Sequence, residues 1–239
     1  GWWPGATAVV LGTAVATTYL GPVVLDPLFN RFSPLAPGPT RSDVLELARR
    51  AGVAVGEVYV ADASRRTTAV NAYVTGIGRT KRVVLYDTLL DEYFSRDEVR
   101  LVVAHELAHV RHRDVPRGLL FMALVAPAAM YAAEELTARI APDETSPAVL
   151  PALALGTGAV SALVGLIGGR LSRAVERRAD SFSLRQTGGV EPLIGFEKGI
   201  VLRNVADPDP PRILNAFLGS HPTTVERIGI AKAYEAGAR

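Results

Sequence analysis

Val103-Ala104-His105-Glu106-Leu107-Ala108-His109-Val110 carries the pattern H-E-x-x-H. On an α-helix, residues four apart share a face and lie about one turn apart. The imidazoles of His105 and His109 can therefore reach one metal ion. Glu106 is turned by roughly 100° about the axis, so its carboxylate approaches a water on that ion without being a ligand. Zinc suits such a site. It takes imidazole nitrogens, keeps an open position in reactive centres, and works beside a base that accepts the water's proton. The chain has four His, at 105, 109, 112 and 221, so the pattern is uncommon by chance; the bland alternative is two histidines on an amphipathic helix.

The flanks favour a buried helix. Ser95-Arg96-Asp97-Glu98 reads as a capping box, which starts a helix. Val99, Leu101, Val102, Val103, Leu107 and Val110 follow as apolar positions. His112 shares the face of His109 but lies about 10 Å along the axis from His105. It is read as a supporting or interfacial residue.

A chain of 239 residues can bury a sizeable core as one domain or two. Hydrophobic content is 49% and mean hydropathy +0.20, high for a soluble enzyme. A net charge of +2 without a long basic run gives no argument for nucleic acid. Cys is absent, which excludes disulfides and thiolate metal sites and leaves His and carboxylate as zinc ligands. The chain begins at Gly1 rather than Met, as expected of a fragment or processed product.

Residues 2–25 are almost uncharged. About 20 apolar residues span a bilayer, and Trp2 and Trp3 suit its interface. A signal peptide competes less well, because no basic residue precedes the run and no small-residue cleavage site is obvious. Residues 30–40 carry three prolines and read as a linker. Residues 41–51 have helical periodicity. Residues 57–60, 69–75 and 82–86 read as strands, the last two as a hairpin around Gly76-Ile77-Gly78-Arg79. Asp87 is expected to cap a short helix over 88–94.

Residues 119–133 form a second apolar run containing Pro127, readable equally as a buried helix or a span. Residues 148–169 form a third, of spanning length. Between them Glu134, Glu135, Asp143 and Glu144 face a single Arg139; outside lie Arg111, Arg113 and Arg117, then Arg170, Arg173, Arg177 and Arg178. Arginine on both flanks and acid in the turn predicts a membrane hairpin with cytoplasmic ends, against the alternative of a soluble hairpin with a charged rim. The H-E-x-x-H helix then lies at the cytoplasmic face.

Two histidines leave zinc short of a ligand. Glu176 and Asp180 share one helix face in a later stretch, Glu176-Arg177-Arg178-Ala179-Asp180-Ser181-Phe182. Glu176 either completes a His/His/Glu set or pairs with Arg173 or Arg177 on a solvated face. Asp180 is placed to orient a ligating imidazole. Asn71, in a strand, either hydrogen-bonds a peptide backbone or satisfies a turn. His221, before Pro222, either donates to an oxyanion or serves as a cap.

H-E-L-A-H, an apolar hairpin, and then E-R-R-A-D-S-F together resemble the integral-membrane zinc metallopeptidases of the CAAX prenyl protease type and their bacterial HtpX-like relatives. Residues 26–35, Asn71-Ala72-Tyr73-Val74-Thr75-Gly76 with residues 82–90, and Ser220-His221-Pro222-Thr223-Thr224-Val225-Glu226-Arg227-Ile228 also match that family, in its order. The resemblance implies one zinc held by His105, His109 and Glu176, with Glu106 as catalytic base. It also implies Asn71 on the substrate path, and His221 and Arg227 near the active site. Family members of the CAAX type have further N-terminal membrane helices, which again points to a fragment of a bacterial member.

The fold expected is mainly α with a small β-sheet, a zincin-like metallopeptidase core with transmembrane helices. Its parts are a membrane helix and linker over 1–34, core over 35–117, a membrane hairpin over 118–170, and the remaining core over 171–239. The function expected is zinc-dependent hydrolysis of peptides or membrane-protein segments by a multi-pass protein of the cell (inner) membrane. Asp180 and His221 assist Glu106, and Asn71 and Arg227 bind substrate. The alternatives are a silent membrane scaffold and a metal-binding protein retaining the fold.

Overall fold

A computed structural model describes residues 1–76, 78–204 and 206–237. The part that contains the β-sheet is built around α4 (Arg96–His112). Ser95 caps that helix reciprocally: Glu98 N–H donates to Ser95 Oγ at 3.3 Å, and Ser95 N–H donates to Glu98 Oε2 at 2.6 Å. Val99, Val102, Val103, Ala104 and Leu107 bury one face against α3 (Pro39–Ala51) and a small sheet. The sheet contains β1 (Phe32–Pro34), β2 (Glu57–Ala61), β3 (Ala72–Thr75) and β4 (Arg82–Tyr86), in the order β1-β2-β4-β3. β2 and β4 pair in parallel, Val58 opposite Val83; β3 returns antiparallel on β4, Ala72 opposite Leu85. Val58, Val83, Val84 and Leu85 are fully buried, as a short β-branched stretch between two layers should be. β3 is an edge strand and packs beside α4.

The expected β3–β4 hairpin forms. Gly76 (φ 100°) and Gly78 (φ 58°) supply left-handed backbone in its turn, which favours residues without a Cβ. Ile77 of that turn lies outside the described residues.

Two local expectations are corrected. Within the stretch read as a linker, Phe32–Pro34 forms the edge strand β1. Arg31 and Asp62 lock its start: Arg31 N–H donates to Asp62 Oδ1 at 2.7 Å, and Asp62 N–H to the Arg31 carbonyl at 3.2 Å. Pro34 is tolerated because it ends an edge. Residues 88–94 are not a helix; a single 3₁₀ turn, Asp87–Leu89, precedes turns. Asp87 cannot cap a helix there because Ser64 occupies its carboxylate, through N–H at 2.8 Å and Oγ at 2.5 Å.

Three helical stretches, Trp3–Phe29, Asp114–Ile140 and Val149–Thr187, are long and apolar enough to cross a membrane. The first comprises α1 (Trp3–Leu20), a π-helical turn and the short α2 (Asp26–Phe29). α5 (Asp114–Ile140) and α6 (Val149–Thr187) form the hairpin. Val9, Val15, Leu120, Leu124, Leu150, Leu155 and Leu163 point outward, an apolar exterior that hydrocarbon solvates and water does not. α1 docks on α5 through an edge contact of Trp3 with Tyr131 and a Trp2 N–H bond to Glu134 Oε1 at 2.7 Å. α6 does not end with its apolar run. It continues as one 39-residue helix, carrying Glu176 and Asp180 out of the apolar region and onto α4.

The hairpin is closely packed at Gly156, where a Cβ would meet Thr137 Oγ1 at 3.0 Å and the Ala133 carbonyl at 3.2 Å. Small residues are what allow membrane helices to approach this closely. Gly156→Leu is therefore expected to push α5 from α6 at a cost of about 2 kcal/mol, the usual scale for overpacking. The measurement is thermal unfolding in detergent, with Gly158→Leu as the control, since Gly158 faces open space.

Candidate active site

Two buried turns of α4 and the C-terminal half of α6 face one another, and three side chains converge between them. His105 Nε2 and His109 Nε2 are 3.2 Å apart. Glu176 Oε2 lies 3.2 Å from the first, and Glu176 Oε1 lies 3.6 Å from the second. Glu176 is buried rather than on a solvated face, and Arg173 is engaged elsewhere.

This donor set fits a zinc ion. Ligands about 2.0–2.1 Å from a tetrahedral ion sit roughly 3.3 Å from each other, close to the spacing here. The outer ring nitrogens reinforce the fit. His105 Nδ1 lies 2.9 Å from Asp180 Oδ1, and His109 Nδ1 lies 3.0 Å from Asp114 Oδ2. A carboxylate partner assigns each Nδ1 as the N–H donor, which is the arrangement metal-ligating histidines adopt. The two Nε2 lone pairs then face each other and a carboxylate, an all-acceptor cluster that only a cation or a proton satisfies. The proton's claim is visible in His105: burial alone would lower its pKa, but Asp180 and Glu176 outweigh burial and raise it to about 9. Metal and proton compete for the same atoms.

Glu106, the residue after His105, groups with both histidines. Burial pushes its carboxyl up, against the lowering pull of His105 and His109. A raised carboxyl is a stronger base when ionised.

Behind the histidines lie two carboxylate–arginine pairs. Asp180 is wholly buried and takes two bonds from Arg227, from Nε at 2.9 Å and Nη2 at 2.5 Å. Asp114, behind His109, pairs with Arg178. Asp114 reaches that position because Arg113 adopts left-handed backbone (φ 58°), reversing the chain between α4 and α5. α6 thus supplies Glu176 to the cluster, Asp180 behind one imidazole, and Arg178 behind the partner of the other.

Two further helices, α8 (Arg212–Leu218) and α9 (Thr224–Gly237), flank the loop that brings His221 to the site. His221 Nδ1 is 3.0 Å from Glu176 Oε2, with its side chain 65% exposed. Arg173, one turn before Glu176, fixes that loop by donating from Nη1 to the carbonyls of Asn215 at 3.1 Å and Gly219 at 2.6 Å. Arg227, on α9, does not face open space as a substrate ligand would; its guanidinium is tied to Asp180 and Glu197. Asn71 is exposed just before β3, its carbonyl accepting from Tyr86 N–H at 3.0 Å. His112 is interfacial: Nδ1 meets the Ala108 carbonyl at 2.8 Å, and the ring packs edge-on against Phe182.

Sequence reasoning missed Asp114, Arg173, Arg178 and Glu197 as members of this assembly. Only Glu197 carried a signal, as a lone acid among Leu193, Phe196 and Ile200; such an acid needs a buried partner.

Three membrane-length helices thus run beside a core in which an H-E-x-x-H helix meets a carboxylate from a second helix. The chain belongs to Peptidase family M48, whose model matches residues 38–235. It is 32% identical over 243 residues to "Uncharacterized metalloprotease YhfN" of Bacillus subtilis, covering 98% of this chain and 57% of that protein. It is 31% identical over 229 residues to "CAAX prenyl protease 1 homolog" of Arabidopsis thaliana, covering 92% of this chain and 53% of that protein. Among solved structures, S. mikatae Ste24p shares the fold with a TM-score of 0.81 at 22% identity, over 97% of this chain and 58% of that one. The chain spans a little over half the length of these relatives.

Proposed function

We propose that this chain forms the zinc-dependent catalytic part of a membrane endopeptidase, with His105, His109 and Glu176 as ligands and Glu106 as general base. The observation that carries this reading is the convergence of both Nε2 atoms and the Glu176 carboxylate at ligand spacing. Zinc, when bound, supplies Lewis acidity to a water and to the scissile carbonyl. Glu106 accepts the water's proton and returns it to the leaving amine. His221, exposed at the rim and already directed at the ligand carboxylate, is positioned to donate to the developing oxyanion. Asp180 holds the His105 ring, and Arg227 holds Asp180.

The outer edge of β3 beside α4 offers backbone groups on which an extended peptide can add as a further strand. Asn71 at the start of β3 is the side chain suited to a bond with that peptide. The arginine-flanked ends of α5 and α6 favour a cytoplasmic active site at the inner membrane surface, so substrates are segments presented at the bilayer. Relatives named CAAX prenyl protease make a lipidated peptide one class to test beside unfolded membrane segments.

The test is metal analysis of the purified protein in detergent, joined to hydrolysis of unfolded and lipidated peptides. About one zinc per chain is expected, with hydrolysis lost on chelation and restored by zinc. Hydrolysis that continues in metal-free protein overturns the reading.

A further inference from the structure

We infer that Glu197 is a positioning residue of the metal centre, the far anchor of a buried chain Glu197–Arg227–Asp180–His105 that fixes a ligand imidazole. The inference rests on the metal-centre reading above. Each member comes from a different helix: Glu197 from α7 (Val190–Asn204), Arg227 from α9, Asp180 from α6 and His105 from α4. Glu197 is 2% exposed, and its Oε1 lies 2.5 Å from Arg227 Nη1. Its other oxygen accepts from Thr224 Oγ1 at 3.3 Å, one turn before Arg227 on the same helix.

A guanidinium is a rigid planar fork. Here one edge, Nε and Nη2, grips Asp180 in two bonds, while Nη1 points away from Asp180 to Glu197. Asp180 thus holds one end of the fork by two hydrogen bonds, while Glu197 holds the other by opposite charge at close range, outside hydrogen-bond geometry. Without the Glu197 contact, the guanidinium loses its second ion-pair partner, and the fork gains freedom to turn toward other acceptors. Asp180 would then lose part of its bidentate hold, and with it the force that keeps the His105 Nδ1–H aligned. A buried carboxylate on a helix whose Leu193 and Phe196 are also buried is expensive to keep. Its placement opposite Arg227, which grips Asp180, gives that cost a purpose. The His109 arm is built differently. Asp114 pairs with Arg178, whose side chain is 36% exposed, and no third carboxylate closes that arm among the described residues.

Partners behind a metal ligand typically change metal affinity by 10- to 100-fold when lost. Acting one layer further out, Glu197→Gln is expected to weaken zinc binding by about tenfold, measured by chelator competition on folded protein in detergent. A shared route makes effects non-additive. In an Asp180→Asn background, Glu197→Gln should therefore change zinc affinity by less than about twofold. The inference is overturned if Glu197→Gln only lowers the melting temperature and leaves zinc affinity unchanged. It is equally overturned if the tenfold loss persists without the Asp180 carboxylate, which would mean that Glu197 acts by another path. Glu197→Ala is the harsher variant; Gln keeps the side-chain volume, so that the protein under test remains folded. A wild-type protein that binds no zinc sinks the metal-centre reading itself and the inference with it, a different result from an unaffected variant.

Discussion

Glu106→Gln is expected to reduce peptide hydrolysis by about 10³-fold while zinc content stays at the wild-type level. Gln has the same shape and keeps a polar end in the same half-buried place, so α4 has no reason to unfold. It cannot accept a proton, and general base catalysis contributes about 10²–10⁴-fold in rate. A loss of about 10³ corresponds to roughly 4 kcal/mol of transition-state stabilisation. The zinc should persist if His105, His109 and Glu176 are the ligands, as proposed, because Glu106 is then not a donor. His105, His109 and Glu176 make the close approaches, and the outer contacts to Asp180 and Asp114 do not involve Glu106. The paired readout is kcat on an unfolded peptide and zinc per chain on the same sample. Retained hydrolysis with Gln at 106 removes the general-base assignment. Parallel loss of zinc and rate would instead make Glu106 part of the ligand set.

The reach of sequence reasoning in this chain follows the distance over which each interaction acts. The spacing of His105 and His109 and the Ser95 capping box are settled within one or two helical turns, so the residue pattern alone places them. The common face of Glu176 and Asp180 was equally legible. Whether that face met the histidines was not, because the answer depends on α6 running unbroken from the apolar segment through Glu176 to Thr187. Residues 119–133 were ambiguous for a related reason. A hydropathy pattern sees only the apolar centre of a helix, whereas α5 extends through polar residues at both ends, Asp114 to Ile140. Asp114 was opaque because its role depends on the left-handed Arg113 turning it back toward His109. Arg178 pairs with it across 64 positions of sequence. Strand β1 was hidden by Pro34 within it and Pro37 and Pro39 just after it, and Asp87 was misassigned because Ser64, 23 residues away, takes the carboxylate that would otherwise cap a helix.

Glu176→Ala is expected to weaken zinc binding by more than about 100-fold, beyond the range for outer partners, and to abolish hydrolysis with it. In the proposed ligand set Glu176 is the charged donor, so its loss would remove both a ligand atom and the negative charge that offsets the dication. The variant also frees His221, which bonds the same carboxylate, and a loss of activity alone would not tell the two effects apart. His221→Ala separates them: it should keep zinc at wild-type affinity and lose only rate. A thermodynamic readout independent of turnover is available as well. A ligand that binds only the folded state stabilises it by RT ln(1 + [L]/Kd), about 2.7 kcal/mol at 100-fold excess over Kd. Wild-type protein should therefore melt at a lower temperature once zinc is chelated, while Glu176→Ala should melt at the same temperature with or without the chelator. Retention of a zinc-dependent rise in Tm by Glu176→Ala would mean that the ion's third donor is another group. In that case, the approach of Glu176 to the His105 Nε2 would reflect the pairing of a carboxylate with a protonated His105 imidazole, the competing occupancy that the raised pKa of His105 already makes chemically reasonable.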